Sequence, residues 1–200
     1  MPTCCGPGIS RPSVKTCALT LQGGSLVSSS SFADRPGAIG DPPEHYGNPF
    51  GEQRSLSEGR SIGELADSAV ITITGPDRLT WLDSLTTQSL KGLAPGDSAE
   101  TLLLNPNGRV EHAMRLIDDG ETLWLLIDGA QRESLVAWLN RMRFMLRVEI
   151  VDRSEDFITV GSFGDALEVP AARSHDVPLV WTDPWATVVR GGHQYSTAAA

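Results

Sequence analysis

Two tight turns twelve residues apart, at Asn107-Gly108 and Asp119-Gly120, constrain this chain more than any other feature. Residues 101–104 (TLLL), 109–117 (RVEHAMRLI) and 122–127 (TLWLLI) are short runs rich in apolar side chains. Only Asn105-Pro106-Asn107-Gly108 and Asp118-Asp119-Gly120-Glu121 separate them. Asn-Gly and Asp-Gly accept the positive φ that a two-residue hairpin connection demands. Connections this short join antiparallel neighbours, because a parallel crossover needs about a dozen residues or more. The three runs are therefore expected to form an antiparallel meander. On residues 109–117, alternation puts Val110, His112, Met114 and Leu116 on one face.

The flanks extend this pattern. Residues 69–74 (AVITIT) have strand composition and stop at Gly75-Pro76-Asp77. Pro76 suits the first turn of a following helix, on which Leu79, Trp81, Leu82 and Leu85 recur near helical spacing. Residues 129–144 read as an amphipathic helix with Leu135, Trp138, Leu139 and Met142 at i, i+3, i+4 and i+7. Strands at 147–151 and 157–160 follow. From residue 69 the order is β-α-β-β-β-α-β-β, without the repeated βαβ unit of a parallel sheet. The fold class is α+β, a mainly antiparallel sheet with two packed helices, and Trp81 and Trp138 are expected in the core.

The ends differ in composition. Of the first 53 residues, 22 are Pro, Gly or Ser, including the serine run 28–31. A stretch so poor in large apolar side chains does not offset its ordering entropy, so residues 1–44 are expected to form a disordered, dispensable extension. A short helix is expected within 44–59, at the start of a domain spanning 45–162. Beyond residue 163 the pattern decays. Residues 177–185 (VPLVWTDPW) suggest a strand and a Trp-bearing loop, and 163–200 read as the incomplete start of a second subdomain, as in a truncated protein.

A formal charge of −9 argues against a protein built to hold a nucleic-acid backbone. No apolar run approaches the roughly 20 residues that span a bilayer, and the first residues lack the apolar core of a secretory signal, so a cytoplasmic protein without membrane contact is expected. Cys4, Cys5 and Cys17 are odd in number and have no CxxC spacing, which points to neither a disulfide framework nor a metal site. Phosphate-binding glycine loops and zinc-hydrolase, nucleophile-elbow and EF-hand patterns are missing.

The most informative local signal is residues 102–117 (LLLNPNGRVEHAMRLI). Asn105 and Arg109 flank the Asn107-Gly108 turn with an amide and a guanidinium, a pairing able to present planar donors and acceptors to a heteroaromatic ligand. An ordinary hairpin with polar rims fits the same spacing. Arg141, Arg143 and Arg147 form the one dense basic cluster, suited either to an anion or to the C-terminal end of a helix dipole.

Residues 69–128 and 139–161 together resemble the amino-terminal part of the YgfZ-type folate-binding proteins, relatives of the glycine cleavage T-protein, an aminomethyltransferase. The pieces that carry the likeness are the strand-GPD-helix at 75–77, the LTTQ helix end at 85–88, the NxxG hairpin and MRFMLRVEI before a strand. The resemblance implies a reduced folate, tetrahydrofolate, held among three subdomains, with Asn105, Asn107, Arg109 and His112 as folate-binding residues. It implies a role in assembly or repair of iron-sulfur client proteins. Aminomethyltransferases follow the hairpin with paired aspartates, one of which serves the folate chemistry; in this register the positions are His112 and Ala113. No catalytic residue is therefore carried over, and the chain is not expected to be a catalyst on its own. A KGCYxGQE-like motif, which YgfZ-type proteins carry nearer their carboxyl end, does not occur here. A tetrahydrofolate-dependent aminomethyltransferase and a ligand-free interaction domain are the two alternatives.

Overall fold

The computed structural model describes residues 14–20, 30–163 and 171–185. Its centre is the meander expected from the two tight turns: β4 (Ser98–Leu104), β5 (Val110–Asp118) and β6 (Thr122–Asp128) pair antiparallel in sequence order. Alongside β6 lies β3 (Ser68–Thr74), and beyond β3 lies β7 (Glu149–Asp152), which completes a five-stranded antiparallel sheet. One face is covered by α3 (Arg78–Leu85) and α4 (Arg132–Met142). The alternation of β3 and β6 puts Ile71, Ile73, Leu123 and Leu125 beneath those helices, where they meet Trp81, Leu82, Leu135 and Leu139 in the main core. The chain is thus α+β with an antiparallel sheet.

The pieces that carry the sequence resemblance are in contact. Gly75 ends β3 at φ +111, and a Cβ there would overlap the Arg147 carbonyl, so the close approach of these segments requires glycine. Asp77 precedes α3 but does not cap it. Its carboxylate accepts the Arg147 backbone N–H at 3.0 Å and the Arg147 guanidinium at 3.1 and 3.0 Å. Those hydrogen bonds hold the Asp77 carboxyl below its ordinary range. The Thr87 N–H donates to the Leu102 carbonyl at 3.0 Å and the Gln88 N–H to Thr101 Oγ1 at 3.1 Å, so the LTTQ segment covers the outer edge of β4.

The second face of the sheet is also buried at its centre. Val70, Ile117, Trp124 and Leu126 pack against Leu179 and Trp181, which is why TLWLLI is continuously apolar. Trp181 belongs to β11 (Val180–Thr182) and donates from Nε1 to the Ala99 carbonyl at 2.9 Å. Residues 171–182 therefore close the core of this domain, where the sequence suggested the start of a second subdomain. They include a short hairpin of β9 (Arg173–Ser174) and β10 (Val177–Pro178).

A four-stranded sheet in the order β11, β1 (Val14–Thr20), β8 (Phe157–Phe163), β2 (Gly63–Glu64) adjoins the first. Two segments of the stretch expected as an extension through residue 44 are described, 14–20 and 30–44, and both carry secondary structure or turns. β1 pairs with β8 over seven residues, from Val14 opposite Phe163 to Thr20 opposite Phe157, and Cys17 is part of that strand. The short helix α1 (Ser30–Ala33) and the turns after it are ordered by local contacts: Phe32 is buried with Ile158 and Val160, and the Tyr46 hydroxyl donates to the Phe32 carbonyl at 3.1 Å. Residues 1–13 and 21–29 of the expected extension lie outside the described residues, as do 186–200. The helix expected within 44–59 is α2 (Pro49–Ser57), capped by Asn48, whose side chain accepts the Gly51 N–H at 3.1 Å.

Two details depart from simple periodicity. Trp138 is half-buried at the margin of the main core, because α4 turns Leu135 and Leu139 inward and leaves Met142 exposed at its end. Val110 is 55% exposed, because the register slips between Leu103 and Leu104 and takes it out of the alternation of β5.

Candidate functional site

The hairpin between β4 and β5 is held by one side chain. Asn105 Oδ1 accepts the N–H of Asn107 at 2.9 Å and of Arg109 at 3.0 Å, while its own N–H donates to the Arg109 carbonyl at 2.9 Å. Gly108 takes φ +75, and its N–H donates to the Asn105 carbonyl. The Asn105 carboxamide oxygen thus builds the turn, and Asn107 and Arg109 stand exposed at its tip. His112 does not join them. It is buried on the helix-covered face, its Nδ1 3.0 Å from Gln131 Oε1 in the single 3-10 turn before α4. The four residues singled out in the sequence therefore divide into a three-residue tip and one internal histidine.

The next residue faces the other way. Ala113 lines a groove of about 520 Å³ on the opposite face of the sheet. Its floor is apolar, from Leu65, Ala113 and Leu126, and its rim is acidic, with Glu44, Glu64, Asp67, Glu100 and Asp128 against Arg115. Arg115 is directly opposite Glu100 in the β4–β5 register, and its guanidinium lies 5.1 Å from the centre of the Trp181 ring. A larger groove of about 1150 Å³ adjoins it, and Pro43, Glu44 and Glu64 line both. Burial raises the Glu64 carboxyl above its ordinary value. Such surroundings suit a flat ring with N–H donors on its edge: apolar floor for its faces, carboxylates for its donors. The sequence reading missed this groove, because half its wall comes from residues 42–44 and 64–68. The one available signal was Glu100, a charge among the apolar residues of β4.

The Asp118-Asp119 turn binds the neighbouring elements. Arg78 at the start of α3 donates to both Asp118 oxygens, at 2.8 and 2.9 Å, and to the Gly120 carbonyl at 2.6 Å. Asp119 is fully buried and accepts from Trp124 Nε1 at 2.8 Å and from the backbone N–H of Thr122 and Glu121. Burial opposes ionisation, but hydrogen bonds from Ser174, Trp124, Thr122 and Glu121 outweigh it and hold the carboxyl well below the carboxylate range. His175 sits between Asp119 and Glu121, 3.2 Å from each, and its bond to Asp119 raises its pKa. Among the described residues no three His, Cys, Asp or Glu side chains gather as a metal set, and no helix is long and apolar enough to cross a membrane.

Comparison with known proteins gives the following. Residues 50–169 match the family described as the GCVT N-terminal domain. The aminomethyltransferase of Herpetosiphon aurantiacus is 25% identical over 144 residues, which is 72% of this chain and 38% of that protein. That of Alcanivorax borkumensis is 24% identical over 115 residues, 58% of this chain and 32% of that protein. Among solved structures, the glycine cleavage system aminomethyltransferase T from Bartonella henselae superposes with a TM-score of 0.43 at 16% identity, over 46% of this chain and 26% of that chain. The chain spans well under half the length of the relatives it matches.

Proposed function

The chain belongs to the family of the GCVT N-terminal domain, and from that premise we propose that it is a YgfZ-like folate-binding protein that supports assembly or repair of iron-sulfur proteins and does not itself transfer an aminomethyl group. The observation that carries the reading is the pair His112 and Ala113. Where aminomethyltransferases follow the hairpin with aspartates, this chain turns an imidazole inward onto Gln131 and presents a methyl group to the groove. A transfer that develops positive charge on the folate would find no carboxylate at that position.

The groove itself suits the ligand. Leu65, Ala113 and Leu126 offer an apolar bed for a reduced pterin ring, and Glu100 and Asp128 line the same groove as acceptors for its ring N–H groups. The hairpin tip lies outside the residues that line the groove; Arg109 is proposed to reach the ligand from there, with Asn105 shaping the turn beside Asn107 and His112 fixing Gln131 behind it. Tetrahydrofolate, when bound, supplies a carrier of one-carbon units; the protein holds and shields it.

The test pairs two measurements. Purified protein should bind tetrahydrofolate in equilibrium dialysis yet form no methylenetetrahydrofolate from an aminomethylated lipoyl carrier. Deletion of the gene in its host should lower iron-sulfur enzyme activities while their polypeptide levels hold. Turnover with the carrier would refute the reading and restore the aminomethyltransferase alternative.

A further inference from the structure

The turn that follows α4 is apolar, basic and uncovered. Residues 141–147 (RMRFMLR) are all exposed, Phe144 and Met145 at 89%, and they hold four large apolar side chains and three arginines with no carboxylate. Both ends of the turn are fixed: Trp81 Nε1 donates to the Met142 carbonyl at 3.3 Å, and Arg147 is bound to Asp77 through its backbone N–H and its guanidinium. The Leu146 N–H donates to the Arg143 carbonyl at 3.0 Å, and Phe144 takes φ +46, which a bulky residue adopts only under constraint. Asp77 neutralises Arg147, whereas Arg141 and Arg143 have no carboxylate within ion-pair distance among the described residues. The helix dipole accounts for a cation in the last turn of α4, but not for a phenyl ring and a thioether left in water beyond it. Phe, Met and Arg held together on a fixed turn have the composition of a contact surface. We propose that this turn docks in the larger groove of a second copy of the chain.

The groove complements the turn in both apolarity and charge. Phe32, Pro36, Pro43, Pro49, Leu56 and Ile62 supply apolar wall, and Glu44, Glu52 and Glu64 against Arg35 and His45 make it net acidic. Glu52 is already committed, its oxygens accepting the N–H of Tyr46 at 3.1 and 3.0 Å and of Asn48 at 2.9 Å. Glu44 and Glu64 have no cation within ion-pair distance among the described residues, and burial without such a partner is what raises the Glu64 carboxyl. Two unpaired carboxylates therefore meet two unpaired guanidiniums, and a phenyl ring and a thioether leave water for an apolar wall. At about 1150 Å³ the groove exceeds the roughly 300–1,000 Å³ of small-molecule pockets and has room for a chain segment. The turn does not reach the groove of its own chain. It sits where β3 ends, against Gly75 and Asp77, whereas the groove includes residues 61–64, just before β3 begins, and a seven-residue strand spans about 23 Å. The contact is heterologous, head to tail, and each pair leaves one turn and one groove free. It is independent of the folate reading, whose ring lies in the smaller groove.

Sedimentation velocity of the 200-residue chain without ligand tests this, from about 10 μM to about 1 mM, the range expected for so small an interface. The mean mass of the wild type should rise above 21.4 kDa with concentration. Phe144→Asp, which replaces the exposed ring with a like charge for the groove, should stay monomeric. Glu44→Lys, at the exposed rim of the groove, should weaken association about tenfold. An equal mixture of these two variants joins the intact groove of the first to the intact turn of the second, so it should form a dimer that does not grow. The thermal midpoint of each variant should be no lower than that of the wild type. A wild type that is monomeric throughout, or association that survives Phe144→Asp, would overturn the proposal. Association lost in Phe144→Asp but unchanged in Glu44→Lys, with no pairing in the mixture, would also overturn it, because the turn would then meet another turn. A monomeric wild type that sediments with phosphatidylserine vesicles would overturn it in favour of a membrane surface.

Discussion

Replacement of Trp181 by alanine tests whether residues 171–182 are core or appendage. The side chain is 3% exposed, packs with Leu179 against Val70, Ile117, Trp124 and Leu126, and donates to the Ala99 carbonyl. A buried Trp→Ala change costs about 3–5 kcal/mol, a third or more of the roughly 5–15 kcal/mol that holds a typical domain. One further variant divides that loss, and a second, at Trp138, gives a half-buried reference. Trp181→Phe keeps an aromatic ring under Arg115 but leaves the Ala99 carbonyl without its donor, a cost of about 1–3 kcal/mol. Trp138→Ala, at a half-buried position, should cost only about 1–2 kcal/mol because roughly half the apolar area is at stake. Urea unfolding followed by circular dichroism gives the comparison, with the denaturant slope as a check that the unfolded state is unchanged. A loss below about 1 kcal/mol for Trp181→Ala, or a separate early transition, would show that this segment docks loosely.

Four other perturbations follow from the turns and the loops. Asp118→Asn leaves the nearly buried Arg78 guanidinium without its carboxylate and should cost about 3 kcal/mol in the same urea assay; a change under about 1 kcal/mol would mean the pair is solvated. His175, whose pKa Asp119 raises, stabilises the fold fully below its unfolded value near 6.5 and loses that contribution as pH rises through the higher folded value. The thermal midpoint should therefore fall over that window, and His175→Gln should flatten the slope; an unchanged slope would exclude the histidine. Asp119, shifted the other way, should lose its contribution as pH falls below about 4. Phe144 holds φ +46 with its side chain 89% exposed, so Phe144→Asn should raise stability by up to about 1 kcal/mol, and a measurable loss would show that the ring is packed.

The central sheet was legible because its signals are local. Asn107-Gly108 and Asp119-Gly120 set the meander, and Leu135 and Leu139 set the buried side of α4, without reference to distant residues. What escaped depends on contacts far apart in the chain. β1 lies within a stretch rich in Gly, Pro and Ser, and only its seven-residue pairing with β8 makes it a strand. The irregularity at Leu103 and Leu104 displaces Val110 while the rest of β5 keeps its alternation. The same limit applies to the site. Asn105 was recognisable from its turn, whereas the inward aim of His112 and the outward aim of Ala113 acquire meaning only once the helices and residues 42–44 and 64–68 cover opposite faces. Glu64 carried no sequence signal, since nothing near it repeats.

The most direct test of the account is calorimetric titration of the 200-residue chain with 5-formyltetrahydrofolate, beside the variant Arg109→Ala. The account predicts saturable binding at one site per chain, at millimolar affinity or tighter, which is at least about 4 kcal/mol of binding free energy. It also predicts a loss of about 1.5–3 kcal/mol in the variant with its stability unchanged, because Arg109 is exposed at the hairpin tip. A wild-type titration indistinguishable from buffer at millimolar ligand would contradict the account.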